Sequence, residues 1–427
     1  MPINGLREFG TGKSDALTRE LPFVLTGLSM IAVAYGFARF SYGLFLPQFR
    51  SEFALSSSLL GLIAGGSYLG YCFAIVAASM LSPRYGPRNV VILAGVVAAI
   101  GMAVVGSAGN GAMLAFGVLL AGMSTGLASP PMGDAVKYQL PTPRQAPANS
   151  WINSGTSLGV LISAPIALLA GEYWRVAWVT FAGLAVLSAT LCYFVLPGSK
   201  KRSEIKFSGV QWKHWINRHS LPLLYSSFMM GFASSVYWTF SRDYLVEFGT
   251  MSADMSLYFW AVIGISGFLG GLAGGFVKKV GILVALRTSL LGFGISIGGI
   301  TLFQGGVTAA FISGAFFGAL YIMLTGIFLI WSVAVYSAQP SMGIALSFMT
   351  IALGQVIGAP FSGWIAETFG IAQSFWILGL TAILATVIRP HSKEIEYFED
   401  LVSERVDARN NEVIGGCHAN QGHKRKY

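Results

Sequence analysis

Charge is what this sequence has least of. Only 11% of its 427 residues are Asp, Glu, Lys or Arg, against 54% hydrophobic ones. The mean hydropathy is +0.65. A soluble globular chain carries about a quarter of its residues charged, so that class is excluded. Histidine is scarce as well, and none of the five (His214, His219, His391, His418 and His423) lies within an apolar run. A serine hydrolase or intramembrane protease built in those runs lacks its base. Gly294-Ile-Ser296-Ile-Gly298 and Gly264-Ile-Ser266-Gly267 therefore carry no enzyme reading. Three cysteines, Cys72, Cys192 and Cys417, make an odd number without metal-ligand spacing, and are expected as unpaired thiols. There is no G-x-x-x-x-G-K-[ST] phosphate loop, which leaves ATP-driven pumping without support. No cofactor and no metal are expected.

Long apolar runs are what the chain does have. A helix needs roughly 20 apolar residues to cross about 30 Å of hydrocarbon. That criterion predicts twelve spans. In the first half they cover 22–47, 57–81, 89–107, 111–135, 148–170 and 175–197. In the second half they cover 220–241, 255–277, 282–303, 307–335, 342–366 and 371–389. The 53 glycines agree, since closely packed membrane helices favour small residues. The net charge of +9 is distributed as membrane topology requires, not as a nucleic-acid footprint. With the N-terminus inside, all eleven lysines fall inside, and the outer loops keep only Arg50, Arg175 and Arg242. Both termini are expected in the cytoplasm of a cell with this multi-pass protein in its membrane, the bacterial inner membrane. Lipid is a partner, nucleic acid is not, and the chain is expected to be a monomer.

The layout then reads as follows: residues 1–21 a polar cytoplasmic lead, 22–197 six spans, 198–219 a basic linker, 220–389 six more spans, and 390–427 a cytoplasmic tail. In the linker, Trp212, Trp215 and Ile216 give an apolar edge, as of a short helix lying on the inner surface. The tail opens with the amphipathic stretch IEYFEDLVSERV and ends in a polar segment expected to be disordered.

The two sets of spans echo each other. Gly36 to Phe53 reads GFARFSYGLFLPQFRSEF, and Gly231 to Phe248 reads GFASSVYWTFSRDYLVEF, an ungapped match at 231 − 36 = 195. The basic connections SMLSPRYGPR and GGFVKKVG place Gly86 and Gly281 at the same offset, 281 − 86 = 195. Two echoes at one offset argue for an internal duplication.

Six plus six spans, a basic central segment and duplicated basic connections resemble the major facilitator superfamily. Its loop signature is similar to G-x-L-A-D-R-x-G-R-[RK]. Here Leu81, Arg84, Gly86 and Arg88 match, with Pro83 where the signature has aspartate. GFARFSYGLFLPQFR in span 1 and GGSYLGY in span 2 look most like its YbfB/YjiJ-type branch. The resemblance implies an all-α membrane protein of two pseudo-symmetric six-helix bundles. It also implies alternating access around a central cavity lined by spans 1, 4, 7 and 10. The superfamily's arginine in span 4 has no counterpart, because Gly122 stands near its place. The connections supply a candidate gating loop set: Arg84, Gly86 and Arg88, with Lys278, Lys279 and Gly281.

Arg39 is the most informative single residue, since a cation inside hydrocarbon costs several kcal/mol. Its fork suits carboxylate or phosphate. Alternatively it snorkels outward or pairs with Glu52. Gly36, Arg39, Tyr42 and Gly43 are expected on one helical face. Tyr42 and Tyr237 occupy equivalent positions, with Trp238 beside the second, and line either the cavity or an interfacial belt. Asp134 is the coupling candidate, available to a transported proton or simply to Lys137. Gly155 and Gly159 in span 5, and Gly354 and Gly358 in span 11, form GxxxG pairs at 354 − 155 = 199. Close packing explains them. Asn153, Gln355, Tyr321 and Trp331 complete the candidate contacts to a small-molecule substrate.

The reading is a secondary active transporter of a small organic solute, with an anion or zwitterion favoured and a proton as a coupling candidate. Two alternatives stand beside it. One is a proton-coupled exporter of hydrophobic or drug-like compounds. The other is a non-transporting membrane sensor that signals through its tail.

Overall fold

Two glycines 195 positions apart end the second helix of each half in the same conformation. The computed structural model describes residues 8–198, 216, 218–249, 251–337 and 340–391. Gly86 has φ 83° and ψ 151°, and Gly281 has φ 80° and ψ 158°. Each donates its N–H back to a carbonyl four residues earlier, Ser82 and Val277 respectively. That backbone region is essentially reserved for glycine, so a side chain there stores about 1–3 kcal/mol of strain. The sequence echo is thus an echo in backbone shape. Gly86→Ala and Gly281→Ala are each expected to lower stability by about 1–3 kcal/mol. Melting of the purified variants in detergent checks this, and wild-type melting would refute it.

Among the described residues, twelve helices follow the expected spans. In the first half they are α1 (Glu20–Leu44), α2 (Ser57–Tyr85), α3 (Pro87–Gly106), α4 (Gly111–Gln139), α5 (Pro147–Ala170) and α6 (Trp174–Val195). In the second half they are α7 (Leu221–Asp243), α8 (Ala253–Val280), α9 (Ile282–Leu302), α10 (Val307–Val335), α11 (Met342–Thr368) and α12 (Ile371–Val387). Ten of them are long and apolar enough to cross a membrane. The exceptions are α7, whose 23 residues are diluted by five serines and by Arg242 and Asp243, and the shorter α12. Serine caps start the second helix of each half: Ser56 Oγ accepts from the Leu59 N–H, and Ser252 Oγ from the Met255 N–H. Helices α2 and α4 overrun their expected ends by four residues, carrying Arg84 and Lys137 on their last turns. A helix need not stop where the apolar stretch does.

The polar lead is helical from Glu8 and runs without a break into α1. Most of the linker 198–219 and of the tail 390–427 lies outside the described residues. So do the surface helix expected around Trp212 and Trp215 and the amphipathic start of the tail.

Span 1 is not one regular helix. Ala32–Phe40 is π-helical, the chain bends at Phe45, and a short helix Leu46–Phe53 follows with Pro47 in its first turn. The second half also has a π-helical turn, Tyr244–Phe248, but at a different place. Its repeat counterpart is 49–53 of the short helix, and the counterpart of Ala32–Phe40 is regular α-helix in α7. The wider π turn separates residues that an α-helix would align. Gly36 therefore abuts Gly159 of α5, whereas Gly43 abuts the Trp238 carbonyl of α7. The single face expected for Gly36, Arg39, Tyr42 and Gly43 is not formed.

Small residues set the helix seams. Gly155 and Gly159 bring α5 onto α1, and Gly354 and Gly358 bring α11 onto α7 in the equivalent way. Two further seams join the halves. Gly61 and Gly65 of α2 meet Ala359 and Pro360 of α11, while Gly264 and Gly267 of α8 meet Leu161 and Ser157 of α5. These close backbone approaches let dispersion and packing hold helices together where apolar burial gives little.

Candidate functional site

Arg39 lies where the halves meet, near the middle of the bundle. It is 5% exposed, so it does not snorkel. Nor does it pair with Glu52, whose carboxylate takes both Arg175 and the Trp174 indole. Hydrogen bonds from Arg175 hold the Glu52 carboxyl below its usual range. The Arg39 guanidinium instead lies over aromatic rings: Tyr71 at 4.6 Å, Tyr68 at 4.8 Å, Phe40 at 5.4 Å and Tyr35 at 5.7 Å. Its Nη2 donates to Gln355 Oε1 of α11, and its Nε has no partner. Gln355 Nε2 in turn donates to Ser234 Oγ of α7 at 3.2 Å. Among the described residues no carboxylate forms an ion pair with Arg39. Aromatic faces attract a cation by roughly 0.5–2 kcal/mol each, which softens its burial without neutralising it.

The aromatic side of the site crosses between halves. Phe40 of α1 stacks on Trp238 of α7 with centroids 3.9 Å apart. Tyr321 of α10 closes the corner, edge-on to both Phe40 and Trp238. Arg39, Gln355, Trp238 and Tyr321 are thereby brought together. Trp331 is fully buried, ten residues further along α10. Tyr42 and Tyr237 turn into their own halves. The Tyr42 hydroxyl donates to the Leu60 carbonyl of α2 at 2.9 Å, and the Tyr237 hydroxyl shares a hydrogen bond with Ser313 of α10. Asn153 is exposed at the end of the helical segment Thr142–Asn153, apart from this cluster. Asp134 is half-buried and accepts from Ser82 Oγ at 2.9 Å, tying α4 to α2. Sequence reasoning missed Tyr35, Tyr68, Tyr71 and Ser234. Tyr68 and Tyr71 were visible as a three-residue step in GGSYLGY, the spacing that puts two rings on one helical face.

A second polar cluster seals the end of the bundle that carries residues 45–57, 244–249 and 251–252. Arg50 Nη2 pairs with Asp243 Oδ2 at 2.7 Å, and its Nε also donates to that carboxylate. Arg242 sends Nη1 to the Leu44 carbonyl and to Gln48 Oε1, and Nε to Ser256 Oγ. Gln48 and Asp243 are themselves repeat partners, since 243 − 48 = 195. Each half therefore places an acceptor at the same position for a cation from the other half. Outside this cluster is a recess of about 320 Å³ bordered by Gln48, Glu52, Trp174 and Glu247.

The loops proposed as gates lie at the opposite end. Arg84, Lys278 and Lys279 are exposed, Arg88 rests on the Tyr193 ring at 4.6 Å, and Gly86 and Gly281 give the two turns described above. Ser296 and Ser266 donate to carbonyls one turn back in their own helices, as serines in membrane helices do.

Twelve helices in two repeated sets, joined by small-residue seams around a buried cation, define a membrane transporter. The chain belongs to the major facilitator superfamily, whose family profile, described as Major Facilitator Superfamily, matches residues 28–340. It is similar to a hexuronate transporter of Bacillus subtilis, 25% identical over 400 residues, covering 86% of this chain and 93% of the relative. A probable sulfoacetate transporter of Cupriavidus necator is 24% identical over 384 residues, covering 81% and 88%. Among solved structures, the nucleoside transporter NupG superposes with a TM-score of 0.72 at 12% identity, covering 86% and 98%, which supports the fold. Family and relatives are transporters, so the chain is a transporter and not an enzyme.

Proposed function

We propose that the protein carries a small organic monoanion across the cell membrane by alternating access, with Arg39 as the contact to the anionic group. The observation behind this is a buried guanidinium with aromatic neighbours, an amide partner and no acid. A buried charge is stable when something pairs with it, and here an anionic substrate supplies the pair. One cation in the site favours one negative charge. Trp238, Phe40 and Tyr321 offer ring faces and edges to the rest of the solute. Two relatives bear names of organic-acid transporters, hexuronate and sulfoacetate, which agrees with that chemistry. Both termini are cytoplasmic in this reading, the 22–197 and 220–389 bundles are the moving bodies, and the Arg50–Asp243 end faces outward and closed. Tyr42, Tyr237, Asn153 and Trp331 support the site by packing or border its approach. Asp134 links α2 to α4 and stays the coupling candidate.

The test is ligand-induced thermal stabilisation of the purified protein with D-glucuronate, sulfoacetate, a dicarboxylate, D-glucose and a lipophilic cation. An acid at 100 times its Kd is expected to stabilise wild type by about 2.7 kcal/mol. Arg39→Ala is expected to abolish that gain, and Arg39→Lys to restore little of it, because the fork is lost. Stabilisation of wild type and Arg39→Ala alike by the lipophilic cation would replace this reading with the exporter.

A further inference from the structure

We propose that Gln355 is an internal stand-in for the substrate's anionic group, locking the unloaded protein by occupying Arg39 across the two halves. The inference deepens the anion reading and rests on it for the identity of what Gln355 replaces. Its geometry stands on its own.

Gln355 is fully buried, and its two ends make two different contacts. Its carbonyl oxygen accepts from Arg39 Nη2, the kind of position a carboxylate oxygen takes on a guanidinium fork. Its amide nitrogen donates to Ser234, which anchors it to α7 within the second half. The groups facing Arg39 from packed elements are Tyr35 and Phe40 on its own helix, Tyr68, Tyr71 and Cys72 on α2, Tyr321 on α10, and Gln355 on α11. Of these, Gln355 is the one whose oxygen accepts a hydrogen bond from Arg39 across the two halves. Glutamine suits this role because it satisfies one arm of the fork without cancelling the charge. An entering anion with a full negative charge displaces it, and Arg39 then exchanges a bond to the second half for a bond to the solute. Glutamate in that place would pair with Arg39 permanently, and leucine would leave it empty.

The test needs no ligand. Gln355→Glu and Gln355→Leu are purified with Arg39 intact and again with Arg39→Met, and all four are melted. With Arg39 present, the glutamate variant is expected to melt above the leucine variant by at least about 3 °C. With Arg39→Met the order is expected to reverse, because the glutamate is then a buried carboxylate without a cation. The same order in both backgrounds, or glutamate below leucine with Arg39 present, overturns the proposal. A second measurement works in membranes, using spin labels at Glu172→Cys and Glu247→Cys, exposed positions on either side of the sealed end, in a background without native cysteines. Gln355→Leu is expected to populate a longer distance without ligand, and Gln355→Glu a single short one. An unchanged distribution for the leucine variant overturns the lock. If the order reverses but no acid binds wild type, the lock stands and only the substrate reading fails.

Discussion

Arg50→Ala is expected to open the sealed end of the bundle. Asp243 has no exposed surface, and Arg50 contributes two of its donors to that carboxylate. Removing one partner of a buried ion pair typically costs about 3–5 kcal/mol, because the other charge stays behind without compensation. Here the cost falls on the closed arrangement alone, since separation of the halves returns Asp243 to water. A preference of that size moves a closed majority to an open one, because about 5.5 kcal/mol converts 99:1 into 1:99. The spin-label pair at residues 172 and 247 reads the change directly. Combining Arg50→Ala with Asp243→Asn is expected to recover most of the short distance, because no charge is then stranded. A short distance in Arg50→Ala alone would show that the glycine seams, and not the ion pair, hold this end shut.

Gly43→Val is the second large effect. A Cβ at Gly43 would stand 1.8 Å from the Trp238 carbonyl oxygen, which belongs to the other half and cannot rotate away. The valine variant is expected to fold, because each half is undisturbed, yet to lose the closed arrangement and with it nearly all transport. Gly36→Val makes the opposite comparison. Its Cβ would meet Gly159 Cα at 2.3 Å within the first half, so melting and yield are expected to fall. Gly66 has nothing within 4 Å of a Cβ, and Gly66→Ala is the silent control. Wild-type transport by Gly43→Val would mean that close approach of α1 and α7 is dispensable.

Much of this architecture was legible before any coordinates. Apolar runs separated by basic breaks gave the helices, and the 195-residue offset gave the twofold plan. Gly86 and Gly281, chosen as echoes in sequence, turned out to share a backbone conformation. Arg39 stood out because a cation in an apolar run demands an explanation. Its partners were less visible. Gln355 is 316 positions away in the chain, and no periodicity reports a contact at that separation. The π-helical segment also changed what Arg39 faces, and nothing in AVAYGFARF announces a turn one residue wider than usual. Tyr42 and Tyr237 form a symmetric pair in sequence, since 237 − 42 = 195. Each nevertheless spends its hydroxyl inside its own half. Asp243 draws no reading from sequence, although it stands at the 195-residue offset from Gln48.

The reciprocal cluster at the sealed end has a consequence for how this chain tolerates change. In an isologous dimer, a substitution enters the interface twice, because both subunits carry it. A fused pair of halves escapes that doubling, so one side's acceptor can become a carboxylate while its twin stays an amide. Asp243 and Gln48 differ in that way. The joint is thereby polarised, with an ion pair on one side and an amide contact on the other, which two identical chains related by a twofold axis could not form.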